Sequence, residues 1–356
     1  MQSPDLPFPD AIKADAGNAP IGFEWVEISP PADHGMNFGI VLPAEWMQED
    51  DPIEKPEHAG QLARLAMFGE SNAGPQSASV LVAYTVLEHD VHLFDWMQLA
   101  CDEFDLDPLN WRVSRGPMDR EIVEVLGLTG SPEDPFIARA VCFADWGRII
   151  VVLSTAPMAR YADLADAFAL INGSFQLSLP VQPGHLENRN TIHAKSPDFH
   201  LEYPASWTPR VLEGLVEGKS AVELLLKTAD ATDLAGYIRI RGIDTKLIDD
   251  DPPATVRFVC DELAEAGVRI ESAWEVDDDP IWSEIPNLIS AHHAIGKLKK
   301  GPLEIYMILA TRGNLGLCGV LLAPDSNDAP IEWMRAKYAL IIALKTAQAS
   351  AEYPNS

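Results

Sequence analysis

Cations are scarce in this chain. Its 356 residues hold 26 Lys and Arg against 54 Asp and Glu, a formal charge of −28. Nucleic acid and anionic membrane surfaces both select a cationic footprint, so this balance argues against either as a partner. It suits a soluble protein, or one whose partner is basic or prone to aggregate. Cysteine is also sparse. Cys101, Cys142, Cys260 and Cys318 are scattered and form no Cys-x-x-Cys pair. Such cysteines behave as small buried hydrophobes rather than as a disulfide framework or a zinc motif. Long apolar runs are missing: none reaches the roughly 18 residues of a membrane span, so no stable membrane insertion is expected. The stretch Met1-Gln2-Ser3-Pro4-Asp5-Leu6-Pro7 lacks the cationic and apolar regions of a secretory signal. The expected compartment is the cytoplasm.

Signatures of chemistry are missing as well. The chain has no Gly-x-Ser-x-Gly, no phosphate-binding loop and no dinucleotide fingerprint. Gly313-Asn314-Leu315-Gly316 falls in a hairpin turn rather than before a helix. The acidic runs Asp249-Asp250-Asp251 and Asp277-Asp278-Asp279 precede proline and read as solvated loops, without the alternating ligands and distal Glu of a calcium loop. His89-x-x-His92 reads as a solvated helix start, and the matching place later in the chain holds Ile243-Asp244-Thr245-Lys246. His292 and His293, as strand neighbours, point to opposite faces and read as surface. The expectation is no catalytic residue, no cofactor and no metal.

What the chain does have is a repeat. Phe38-Gly39-Ile40-Val41-Leu42-Pro43-Ala44-Glu45-Trp46 and Phe199-His200-Leu201-Glu202-Tyr203-Pro204-Ala205-Ser206-Trp207 share Phe, Pro, Ala and Trp, 161 positions apart. Cys101-Asp102-Glu103-Phe104 recurs as Cys260-Asp261-Glu262-Leu263, 159 positions on. Tyr161, Leu164, Phe168 and Ile171 recur 170 positions on as Ile331, Met334, Tyr338 and Ile341, with the 3, 4, 3 spacing of one helix face. A separation that drifts only from 159 to 170 implies one unit written twice.

Each unit reads as a hairpin, strands, a helix, an antiparallel meander and a closing helix. Pro43 and Pro204 end their strands because proline donates no ladder bond. Helices are expected over about 91–104 and 158–175, and over 253–266, the last stopped by Gly267. The expected organisation is a loose or capping N-terminal arm over 1–21, a first unit over 22–179, a linker over 180–194 holding Pro183-Gly184, and a second unit over 195–350. The fold class is α+β: two tandem copies of an antiparallel sheet, each with two helices packed on one face.

The aromatic-x-apolar-x-apolar-Pro-Ala-x-Trp strand, the middle helix and the closing helix with Asn172-Gly173-Ser174-Phe175 resemble the fold shared by PsbP, the Ran-binding Mog protein and the bacterial DcrB-like proteins. The resemblance covers about residues 22–178 and 192–349. Within the DcrB-like group the chain resembles Eag chaperones in its acidity and expected compartment; these are acidic and cytoplasmic, pair as dimers and shelter membrane-helix segments of type VI secretion effectors. It departs from them in carrying two units in one chain. These families are chiefly binding proteins, so the resemblance implies no catalytic residues.

One strand stands out. Ser79 to Leu87 is apolar on both faces, so it is covered on both sides or offers an apolar patch. Its counterpart, Tyr237 to Ile243, carries Arg239 and Arg241 on one face, which reads as wet. Leu81, Ala83, Thr85, Tyr237, Arg239 and Arg241 are therefore the candidate partner-binding residues. The functional expectation is a non-enzymatic protein-binding module, a cytoplasmic chaperone or adaptor for apolar helices of secretion effectors. The alternatives are an assembly or stability factor of a larger complex, in the manner of PsbP, and an enzyme with an unrecognised site.

Overall fold

The computed structural model describes residues 6–29, 36–49, 60–71, 74, 77–116, 121–181, 186–195, 197–213, 220–227, 234–245, 252–298 and 301–349. Asp249-Asp250-Asp251 and Pro183-Gly184 lie outside them. The chain divides into two compact units, residues 1–89 with 93–186 and residues 90–92 with 187–356.

The first unit runs β1 (Phe23–Ile28), β2 (Phe38–Pro43), β3 (Trp46–Gln48), β4 (Ala63–Glu70), β5 (Ser79–Val86), α1 (Leu93–Glu103), β6 (Asp107–Arg115), β7 (Glu121–Ser131), β8 (Asp134–Asp145), β9 (Arg148–Pro157), α2 (Met158–Ser174) and β10 (Gln176–Leu177). Its strands form a small sheet ordered β1-β2-β10 and a large one ordered β3-β4-β5-β9-β8-β7-β6. The repeat strand β2 is the middle of the small sheet. After the Ala44-Glu45 turn the chain re-enters at Trp46, which is 8% exposed and belongs to the core under α2. The β8–β9 hairpin turns on Trp146 and Gly147, both at positive φ (47° and 80°), the geometry that matches strand twist in a two-residue loop.

The second unit runs β11 (Arg189–Lys195), β12 (Asp198–Pro204), β13 (Thr208–Leu212), β14 (Ala221–Lys227), β15 (Leu234–Asp244), α3 (Pro252–Glu265), β16 (Arg269–Ile270), β17 (Glu275–Val276), a 3-10 turn (Pro280–Glu284), β18 (Leu288–Leu298), β19 (Gly301–Arg312), β20 (Leu315–Pro324), α4 (Pro330–Thr346) and β21 (Gln348–Ala349). Its sheets are ordered β11-β12-β21 and β13-β14-β15-β20-β19-β18-β16, with β17 also paired to β18. Strand for strand this is the order of the first unit, so the tandem α+β architecture expected from the repeat is the one adopted. β11 occupies part of the stretch expected as linker. Gly267 closes α3 at φ 81°, and the Val268 N–H bonds the Leu263 carbonyl at 2.9 Å.

The helices do not share a face, as the sequence reading had them. In the second unit Leu317 and Leu321 of β20 join Ala336, Leu340 and Leu344 of α4 in one core. The alternate residues Cys318 and Val320 join Val259 and Leu263 of α3 in another. In the first unit Ile150 and Val152 of β9 pack with Tyr161 and Phe168 of α2. Phe94 of α1 meets Trp111 of β6 at 4.9 Å, while the next residue, Arg112, turns to the opposite face and lies over Phe8. The physical reason is the composition of the central strands. Ile137 to Phe143 in β8 and Leu303 to Ala310 in β19 are buried without alternation, and a strand that is apolar on both faces needs a cover on each.

Candidate functional site: a groove on the second sheet

On the α3 side of the second unit, α3 lies toward the β16 edge. Between its C-terminal half and strands β14, β15, β19 and β20 runs a groove of about 1100 Å³. Its position follows from strand alternation. Tyr237 and Arg239 of β15 pair with Leu322 and Val320 of β20, so these four side chains share one face. Leu303 of β19 continues that face, and Val259, Leu263 and Val268 form the facing wall.

One end of the groove is polar. Glu223, only 6% exposed, accepts hydrogen bonds from the Tyr237 hydroxyl at 2.5 Å and from Arg239 Nη2 at 2.7 Å. Arg239 Nη1 stands 3.7 Å from Glu262, and Arg241 Nη2 donates to the same carboxylate at 2.5 Å. Arg241 also lies 4.8 Å over the Phe258 ring. Burial by itself raises the Glu223 pKa. The bonds from Tyr237 and Arg239 and the nearby guanidinium charges outweigh it, so the carboxyl sits below its usual range. Burial, then the bond to Glu223, pushes the Tyr237 phenol up. These groups are engaged with one another. Around them the lining offers apolar side chains, an arrangement suited to holding an apolar surface rather than to moving protons.

Of the six residues singled out in the sequence, Tyr237 and Arg239 line the groove, and Arg241 stands behind Arg239 through their shared Glu262. The face carrying these arginines is not wet. Arg239 and Arg241 keep only 27% and 9% of their side-chain surface, because each is ion-paired in the cleft under α3. In the first unit Leu81 is half-buried, while Ala83 and Thr85 are 3% and 0% exposed and offer no open patch. Sequence reasoning missed the facing wall and floor: Val259, Leu263, Leu303, Val320 and Leu322. The four-residue spacing of Val259 and Leu263 was the available signal.

Other sequence readings change with the structure. His92 is buried rather than solvated and stands 3.1 Å from Glu284. His292 and His293 do point to opposite faces, but both are half-buried, and His293 packs 4.7 Å from the Tyr306 ring. Asp279, expected in a solvated loop, caps the 3-10 turn and pairs with the buried Lys337 at 2.5 Å. All four cysteines are free; Cys101, Cys142 and Cys318 are buried and Cys260 is half-buried. Among the described residues, no helix is long and apolar enough to cross a membrane.

No family model matches the chain, and no curated protein does. Among solved structures it is similar to cyanobacterial PsbP (CyanoP) from Synechocystis sp. PCC 6803, at 14% identity and a TM-score of 0.32, covering 45% of this chain and 95% of that one. It is similar to LpqN, involved in cell envelope biogenesis of Mycobacterium tuberculosis, at 12% identity and a TM-score of 0.31, covering 44% and 92%. The immunity protein TplEi of the type VI secretion system of Pseudomonas aeruginosa matches at 9% identity and a TM-score of 0.20, covering 91% and 97%. These likenesses concern the fold.

Proposed function

We propose that the chain is a non-enzymatic protein-binding module, a chaperone or adaptor that holds an apolar helical segment of a partner in the groove of its second unit. The observation that supports this reading is the groove itself. Its volume of about 1100 Å³ lies just above the roughly 300–1,000 Å³ typical of small-ligand sites. Its walls are mainly aliphatic, the lining that a helix with apolar residues at i, i+3, i+4 and i+7 fits. The charge of −28 serves a carrier of such cargo, since repulsion between loaded copies opposes co-aggregation. The cargo proposed is the membrane-helix segment of a secretion effector.

The test is titration of a fluorescently labelled 20-residue apolar helix with lysine ends against the wild type, Leu322→Asp and Leu263→Asp. Saturable binding by the wild type, weakened at least tenfold by a folded Leu322→Asp, is the expected result. Leu322 is only partly buried, so its aspartate costs little until cargo covers it. A wild type that binds no such helix, or a folded variant that binds as well as the wild type, would sink the reading.

A further inference from the structure

The stretch from Leu6 to Pro20 forms no strand or helix, yet it is held at specific points on the first unit. The Tyr161 hydroxyl donates to the Pro7 carbonyl at 2.9 Å. Arg112 donates to the Phe8 carbonyl at 2.8 Å and to the Pro9 carbonyl at 3.3 Å, and its guanidinium pairs with Asp10 at 3.1 Å. The Phe8 ring lies under two guanidinium groups, 4.4 Å from Arg112 and 5.0 Å from Arg139. Further on, the Ile12 N–H bonds the Ala169 carbonyl at 2.9 Å. Three successive carbonyls and one aromatic ring are thus read by side chains of β6, β8 and α2. Pro7 and Pro9 fix their own φ and bias Leu6 and Phe8 toward extended backbone. An extended proline-flanked segment gripped through its carbonyls and one ring is the geometry of peptide recognition.

Two further observations mark this surface as a built site. Arg139 is fully buried and pairs through Nη2 with Glu124, but its Nε and Nη1 have no hydrogen-bond partner among the described residues. A buried donor left without an acceptor is costly, so the arm satisfies the site only in part. Gly173 of α2 has no room for a side chain, because a Cβ there would stand 2.4 Å from the Ile12 carbonyl oxygen. The residue 170 positions on, Ala343 of α4, does carry that carbon.

The second unit covers the equivalent surface differently. Phe136 pairs with Pro157 and Leu303 with Pro324 at corresponding strand ends, which sets Arg139 against Tyr306. Over Tyr306 lies Trp282 of the 3-10 turn, 5.7 Å away and 1% exposed, a cover internal to the chain and buried. The cover in the first unit is loose by comparison. Phe8 is half-buried and Ile12 is 43% exposed. Leu6 and Phe8 are only partly buried against the core, so opening the 6–10 stretch costs less than opening a core element.

We propose that the surface formed by Arg112, Arg139 and Tyr161 is a recognition site for a proline-flanked aromatic segment of a partner protein, and that the Leu6–Asp10 arm occupies it in cis. The arm acts as a built-in competitor at millimolar effective concentration. A second copy's identical arm gains nothing over the cis one, and two chains of charge −28 repel. A partner segment gains by offering the acceptor oxygen that Arg139 lacks. This site is separate from the groove of the second unit and does not depend on it.

The test uses a labelled synthetic peptide of residues 6–16, read by fluorescence anisotropy, with circular dichroism melts as the control for folding. Gly173→Ala lifts the arm at Ile12 while alanine favours the helix; deletion of residues 1–16 removes it. The peptide should bind the deletion variant saturably and the full chain at least tenfold more weakly, with Gly173→Ala between them. Arg112→Ala in the deletion background, or a Phe8→Ala peptide, should each weaken binding tenfold or more. The proposal is overturned if folded arm-released variants bind no peptide, if Arg112→Ala leaves binding unchanged, or if release produces concentration-dependent dimers in place of peptide binding. It is also overturned if both arm-released variants fail to fold, since the arm is then core.

Discussion

Glu304 of β19 carries a stability that acid should remove, and the structure sets its size. Its carboxylate is 6% exposed and accepts hydrogen bonds from the Tyr306 hydroxyl at 2.5 Å, Trp333 Nε1 at 2.9 Å and the Ser326 N–H at 2.9 Å. His293 Nε2 stands 3.2 Å away. Burial alone would raise the pKa, but these partners outweigh it and hold the group at about 2 rather than 4.5. A depressed folded pKa stabilises the fold above the unfolded pKa and loses that effect as pH falls through the folded one. At about 1.4 kcal/mol per unit the ionised carboxyl is worth ~3 kcal/mol at pH 7, falling to ~1 kcal/mol at pH 3 and to a small fraction of that at pH 2. Glu304→Gln keeps the shape and removes the charge, so the gap between wild type and variant should shrink by more than half from pH 7 to pH 3. Urea denaturation read by hydrogen exchange of β19 and β20 amides follows the second unit alone. A gap that stays constant from pH 7 to pH 3 would refute the reasoning, since the cluster would then stabilise through packing and not through charge.

Phe168, fully buried between α2 and the first sheet, should cost about 3–5 kcal/mol as Phe168→Ala in chemical denaturation; Tyr338→Ala should cost less, because that ring is half-buried. Gly127→Ala should destabilise by more than ~1 kcal/mol, since its Cβ would stand 2.6 Å from the Asp107 carbonyl oxygen and backbone cannot swing aside; a thermal melt unchanged from wild type would contradict that crowding. Burial pushes Cys101 and Cys318 up to about 12, so native protein at pH 8 should leave both unlabelled by a maleimide over a time in which half-buried Cys260 reacts, with peptide mapping as the readout.

The duplication, the order of strands and helices, and the apolar character of the central strands were all legible in the residues. Local periodicity and proline placement write them directly: Pro43 and Pro204 end matched strands, and Tyr161, Phe168 and Ile171 mark a helix face wherever that helix packs. Which face each helix covers was not legible. The lack of alternation in β8 and β19 says that they need covers on both sides, but only the path of the connecting chain assigns α1 and α2, or α3 and α4, to opposite sides. The arginines of β15 misled for the same reason. Arg241 meets Glu262 across 21 positions and a change of element, so a face that alternates as if wet is ion-paired in a cleft. The groove arises where α3 lies toward one edge of its sheet, and the arm's hold on Arg112 and Tyr161 joins residues more than 100 positions apart. Contacts across such separations are chosen by the packed fold, where burial makes each unpaired donor costly and each pairing specific.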